Sequence, residues 1–433
     1  MITLRVAWRK AEFMDKIESF IYNLVRNNPI VKNTIRNLYQ SFFDLLPRKK
    51  EYFKYHFDFK EGYYFGFHDI QELSEDCSKL LVQRLSFDLR MPLAGETAQV
   101  GYLDFSTEGQ LGEFHAIGNT SAWNYHKGCR LQWLDNQRVI FNSTDGGKLI
   151  SRMVDVETGK SSVIGYPIDT VSHDSVYATS FSYDRLEHCM SGYGYPYSDD
   201  SFLDLDSPKE TGLFLVDLKT GDRDLFLSLA DLSNSVPEEF RKGYMHYVTH
   251  SEFSLDDRYI SFLHRWKRRT GTDLKRWTRI MVYDRTNGIL TELPTQLSGS
   301  HCVWISNDRL IASCIIDGRS SHVLFDMNDI ASYRIIAPSV LNSDGHQSYI
   351  DEDSFITDTY PDKYRMAHLI KAVISSGKTE LLASIYSPKL FQSNSKKGHI
   401  ACDLHPRVSP DGRFVFFDCC RTGKRGIYVM RLS

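Results

Sequence analysis

The chain has 433 residues, 42% hydrophobic and 25% charged, with a net charge of −3. That length holds several ordinary domains or one large repeat fold, and the composition excludes a disordered or fibrous chain. No stretch approaches the ~20 apolar residues that span a bilayer, and Arg9, Lys10, Glu12 and Asp15 interrupt the apolar core that a secretory signal needs.

Residues 1–50 form the first predicted unit. They carry ten basic against four acidic residues, which leaves a net charge of −9 on the rest. Phe13, Ile17, Phe20, Ile21 and Leu24 recur at helical spacing, as do Ile35, Leu38, Phe42 and Leu45. Asn28-Pro29 separates two helices, and Pro47 with Arg48-Lys49-Lys50 closes the second. The pattern predicts a basic amphipathic extension. Its apolar face would lie on an anionic membrane surface, dock on a partner protein, or pack on the main domain.

Residues 51–433 read as one repeat domain. In chain order the copies are "HDIQELSEDCSKLLVQ" from His68, "RLQWLDNQRVIFN" from Arg130, "TVSHDSVYATSFS" from Thr170, "HSEFSLDDRYISFL" from His250, "HCVWISNDRLIASCII" from His301, "HQSYIDEDSFITDTY" from His346 and "HPRVSPDGRFVFFD" from His405. Each reads as a strand, a Ser/Asp turn and an apolar strand, because Asp and Gly serve tight turns. A third strand ends in Asp and a Gly turn, as in "MVDVETGK", "LFLVDLKTGD" and "IMVYDRTNG". The last four starts are 51, 45 and 59 residues apart, the length of a four-stranded blade with loops. An aromatic content of 13% suits strands. The prediction is all-β, a seven-bladed β-propeller preceded by the helical extension. Residues from about 53 to 66 would supply the outer strand of the last blade and close the ring.

The innermost strand of a blade lines the central channel, so equal offset from the turn means equal position in space. His250, His301, His346 and His405 share one such station, Arg130 holds it in another blade, and His68 lies near it. Converging imidazoles make a metal or anion site, and arginine matches carboxylate or phosphate. Asp403 and Arg407 flank His405, and Asp344 and Gln347 flank His346. His264, Arg265, Asp358 and Asp362 follow their apolar strands and are expected near the opposite end, tying loops. The insertion "SYDRLEHCMSGYGYPYSDD" from Ser182 offers Tyr193 and Tyr195 for stacking on sugar rings. "WNYHKG" from Trp123 is a second candidate wall. Eight scattered cysteines, with no Cys-x-x-Cys pair, are expected to be reduced thiols of a cytoplasmic protein.

In "HSEFSLDD" at His250, "SHCVW" at Ser300 to Trp304 and "HPRVSPDGRFVFF" at His405, the chain resembles the oligogalacturonate lyases, propellers with TolB-type Ser-Pro-Asp-Gly repeats. The resemblance covers roughly residues 60–433 and implies a cytoplasmic, metal-assisted β-eliminating enzyme on uronate-containing oligosaccharides. It implies a divalent metal, usually manganese, held by His301 and His405; His346, Gln347 and Asp403 are the candidates to complete the shell, with His346 and Asp403 favoured. It also implies that His250 takes part in proton transfer. Arg130 or Arg407 would neutralise a carboxylate; His68, Tyr193 and Tyr195 would contact the substrate. Two departures stand out: Arg407 replaces the second histidine of a His-Pro-His, and Cys402 stands where a glutamine ligand would fall. Alternative readings are a membrane-associated protein of surface-polysaccharide assembly that binds or transfers an anionic sugar, and a protein-interaction scaffold. The expected partner is an anionic oligosaccharide and not nucleic acid.

Overall fold

A computed structural model describes residues 47–198, 200–270, 275–392 and 398–432. Apart from residues 47–50, which have no regular structure, the predicted helical extension lies outside the described residues. The remainder is a seven-bladed β-propeller of seven antiparallel sheets. The fourth blade shows the plan: Tyr244–Phe253, Tyr259–Arg268, Arg276–Asp284 and Leu290–Glu292 pair in simple succession. In the third blade, Tyr177–Ser180, Gly212–Asp217 and Arg223–Ser228 pair, and the inner strand shrinks to a bridge between Val171 and Ala178.

The Ser/Asp repeat earns its place through local hydrogen bonds. The Oγ of Ser74, Ser172, Ser254 and Ser409 each donates to the Asp two residues on, at 2.6–2.8 Å. Each also accepts from the backbone N–H five residues on, at 2.9–3.0 Å. The residue after that Asp turns left-handed in all four: Cys77, Ser175, Asp257 and Gly412. Only in "SPDG" is that position a glycine, which adopts the conformation without strain.

Blades pack face to face through apolar strands. Leu80, Val82 and Leu103 of the first blade meet Phe414, Phe416 and Val429 of the last. Trp304 is fully buried, stacks on Tyr259 at 5.6 Å, and donates Nε1–H to Ser261 Oγ of the preceding blade. Trp133, at the same repeat position, donates to the carbonyl of Glu72 in its own preceding blade. All eight cysteines are free thiols. Among the described residues no helix is long and apolar enough to cross a membrane.

The ring closes as the pattern implies, with one correction. The segment near residues 53–66 is three strands, not one. Tyr52–Phe53 joins the sixth blade, Phe57–Glu61 is the outer strand of the seventh, and Tyr63–Tyr64 begins the first. Gly62, at φ +82°, turns the chain between the last two. Phe57–Glu61 pairs with Gly426–Arg431 from Phe57↔Met430 to Glu61↔Gly426. A chain beginning at residue 47 keeps this closure, whereas one beginning at residue 62 exposes the edge of Gly426–Arg431. The shorter chain is expected to melt several degrees lower and to aggregate on heating, read by calorimetry with light scattering.

Candidate functional site

Five imidazoles from five blades surround one phenylalanine. The ring of Phe67 lies 4.5 Å from His68, 4.6 Å from His250, 5.8 Å from His301, 5.7 Å from His346 and 5.0 Å from His405, between centroids. Side chains from separate sheets reach one ring only at the centre of the propeller. Phe67 is buried, and none of the five histidines is more than 6% exposed. His250 and His405 adopt left-handed backbone, at φ 55° and 44°, as does Arg130 at its own station, a conformation that costs strain at a non-glycine residue. The rim is more open: Asp344 and Tyr360 are 34% and 42% exposed.

Four of the imidazoles share one hydrogen-bond pattern. His68 and His405 donate Nδ1–H to the carbonyls of Gln347 (2.8 Å) and Gly66 (2.7 Å). His346 and His301 direct Nδ1 at the carboxylates of Asp358 (2.9 Å) and Asp344 (3.1 Å). No hydrogen bond reaches the Nε2 of any of them among the described residues, and those of His68 and His405 are buried without a partner. An imidazole anchored by one nitrogen, with the other lone pair free, is the form of a metal-ligating histidine. His346, His405 and Asp403 each offer a ligand atom, all within 4.8 Å of one another. The rings of His301 and His405 lie 4.0 and 4.3 Å from that of His346. These donors fit a divalent transition-metal ion.

Burial governs the charge states. It pushes the pKa of His68, His250 and His405 well down, and neighbouring cations and imidazoles add to the effect. Burial also opposes a charge on His346, but Asp358 outweighs it and raises the pKa. Asp403 is pushed up to about 6 by burial, against the pull of His346. His250 differs from its neighbours: both ring nitrogens are buried with no partner. Burial first, then Lys127 and Arg265, keep it neutral.

The expected residues do not all meet. Arg130 points into a closed quartet and not to the centre. It pairs with Asp69 at 2.8 and 3.0 Å and with Asp169 at 3.2 Å, and Lys127 holds Asp169 at 2.6 Å. No side chain of the four is more than 5% exposed, so Arg130's charge is spent within the protein. Arg407 is likewise engaged, by Glu72 at 2.9 Å, the carbonyl of Phe67 at 2.9 Å and the face of Phe65 at 4.1 Å. Tyr193 lies on the site wall, stacked on His126 at 4.6 Å and 5.9 Å from His250. Tyr195 packs behind it, stacked on Tyr183 at 4.4 Å, with Asn142 donating to its hydroxyl. Asp358 belongs to the centre and not to the opposite end, because it anchors His346 and accepts from the backbone N–H of His405. His264 sits elsewhere, in a buried network with His246 and Arg279; Asp362 caps its own loop through the N–H groups of Tyr364 and Met366.

Phe67, Lys127, His126 and His399 were not singled out by the repeat. His126 Nε2 lies 2.6 Å from His399 Nδ1, and His126 Nδ1 lies 4.0 Å from Asp403. The one sequence signal was the stretch "WNYHKG", which contains both His126 and Lys127. Titration with manganese or zinc is expected to load about one equivalent. H346A and H405A should abolish loading, and D358N should weaken it about 10–100-fold, measured by elemental analysis and calorimetry.

No family model and no curated protein matches the sequence. Solved structures do match. An oligogalacturonate lyase in complex with manganese aligns at a TM-score of 0.58 and 14% identity, over 90% of this chain and 99% of that one. The oligogalacturonate lyase of Vibrio parahaemolyticus aligns at 0.57 and 12% identity, over 89% and 99%. At such identities the likeness is one of fold. The chain is a seven-bladed β-propeller whose structural neighbours include oligogalacturonate lyases.

Proposed function

We propose that the histidine centre binds an anionic carbohydrate containing uronate and cleaves it by β-elimination. The observation that carries this reading is the pairing of two kinds of imidazole. Four have Nδ1 anchored and Nε2 free, and one, His250, has both nitrogens free beside them. His301, His346, His405 and Asp403 would hold a divalent metal, manganese by analogy with the neighbour solved with that ion. Such an ion would supply Lewis acidity at the uronate carboxylate, making the adjacent C–H more acidic.

His250 would be the base. It is neutral at pH 7, so its lone pair is available. Its depressed pKa makes it a weak base in the empty site, and an incoming carboxylate corrects this. Negative charge beside the ring draws the pKa upward, so binding the substrate strengthens the group that attacks it. The proton moves from the carbon next to the carboxylate to His250, and its electron pair forms the double bond. The bond from the β carbon to the glycosidic oxygen breaks, and that oxygen takes a proton from solvent. Tyr193, on the wall near His250, would border a sugar ring.

A second reading keeps the ligand and drops the cleavage, giving a protein that binds or transfers an anionic sugar. Arg407 favours it: the position that would be a second histidine in His-Pro-His is a buried arginine engaged with Glu72. One assay separates the two. Metal-loaded protein with oligogalacturonate is expected to release unsaturated uronate, read by its ultraviolet absorbance. H250Q should lower kcat about 100-fold or more while metal content is unchanged. Wild-type protein that is loaded and binds oligogalacturonate, yet yields no unsaturated product, would refute elimination and leave the binding reading.

A further inference from the structure

Arg265 is buried and has no ion pair among the described residues. Its Nη1 meets only Sδ of Met190, at 3.0 Å, and its Nε has no partner. Arg425 is also buried without an ion pair among the described residues, but its guanidinium donates to the carbonyls of Ile400 and Ala401, whereas Arg265 meets no oxygen. Arg130, Arg185, Arg279 and Arg407 are matched by Asp69, Asp200, Glu292 and Glu72. Arg265 lies in Tyr259–Arg268, directly across the strand pair from Tyr247. The Tyr247 hydroxyl is buried and unpartnered, and so is Thr249 Oγ1, two residues along on the same face of the sheet. Three orphaned donors thus line one strip beside the histidine centre. Met190 belongs to the same insertion as Tyr193, so the strip lies under the wall of the site.

A buried guanidinium without a counter-ion is costly, and the cost falls when an anion arrives. Its planar fork matches the two oxygens of a carboxylate. We propose that Arg265, with the hydroxyls of Tyr247 and Thr249, is an oxyanion clamp that grips an anionic group of the sugar presented to the histidine centre. The clamp rests on the reading of that centre as a site for anionic carbohydrate. It takes the role expected of Arg130 and Arg407, whose charges are already neutralised. The same chemistry would accept the carboxylate of a uronate or a phosphate substituent, and the experiment distinguishes them.

The full-length protein is tested by thermal shift and calorimetry with three probes: digalacturonate, the neutral disaccharide galactobiose, and inorganic phosphate. Digalacturonate is expected to raise the melting temperature of the wild type, and galactobiose is not. R265M should bind digalacturonate about tenfold or more weakly, with R265K in between because it keeps the charge and loses the fork. Without ligand, R265M should melt at or above the wild type, since it removes an unpaired buried charge. R265M that melts lower, or that binds the acid as the wild type does, overturns the clamp and makes Arg265 structural. Failure of both anions to shift the wild type overturns it as well. A phosphate shift lost in R265M, with no response to digalacturonate, upholds the clamp and refutes the uronate reading of the centre.

Discussion

Two side chains of the last blade grip the backbone that enters the first. Asp418 accepts from the N–H groups of Phe65 and Gly66, and Arg407 donates to the carbonyl of Phe67. Glu72 and the face of Phe65 hold the Arg407 guanidinium in place. The histidine centre depends on this grip. It seats the Phe67 ring among the imidazoles, and it points the Gly66 carbonyl at His405 Nδ1. Arg407 thus works through the main chain, as a positioning residue for the centre it borders.

Phe67 and the polar shell act together on the imidazoles. The apolar ring excludes water from their inner faces, which penalises every protonated form. The oxygens of Gly66, Gln347, Asp344 and Asp358 fix four rings through Nδ1. Rings so held keep their Nε2 lone pairs in register, and reorganisation on ligand binding is small. His250 receives no such anchor. The cations Lys127 and Arg265 also act on it and disfavour its protonated form. The two environments separate ligand-like imidazoles from one suited to moving a proton.

The parts of this arrangement that were legible in the sequence are those written by local chemistry. Ser74, Ser172, Ser254 and Ser409 bond within their own turns, so their spacing announces the blades. Propeller geometry then converts equal register into a shared radius, which is why His250, His301, His346 and His405 could be grouped from spacing alone. What was not legible depends on partners far away in the chain. Arg130 looked available because Asp69 is 61 residues distant. Arg407 looked available because its partner Glu72 lies at the other end of the domain. Phe67 has no counterpart in the other copies, and Arg265 became informative only once the structure showed no ion pair for it among the described residues.

Closure by an early strand also bears on how the molecule is made. The oxygens that orient His405 and the N–H groups held by Asp418 belong to residues more than 330 positions earlier. During ribosomal synthesis the first blade therefore waits, its entering loop without partners, until almost the whole chain has emerged. A nascent or prematurely terminated chain lacks the assembled centre, however many blades it has already folded.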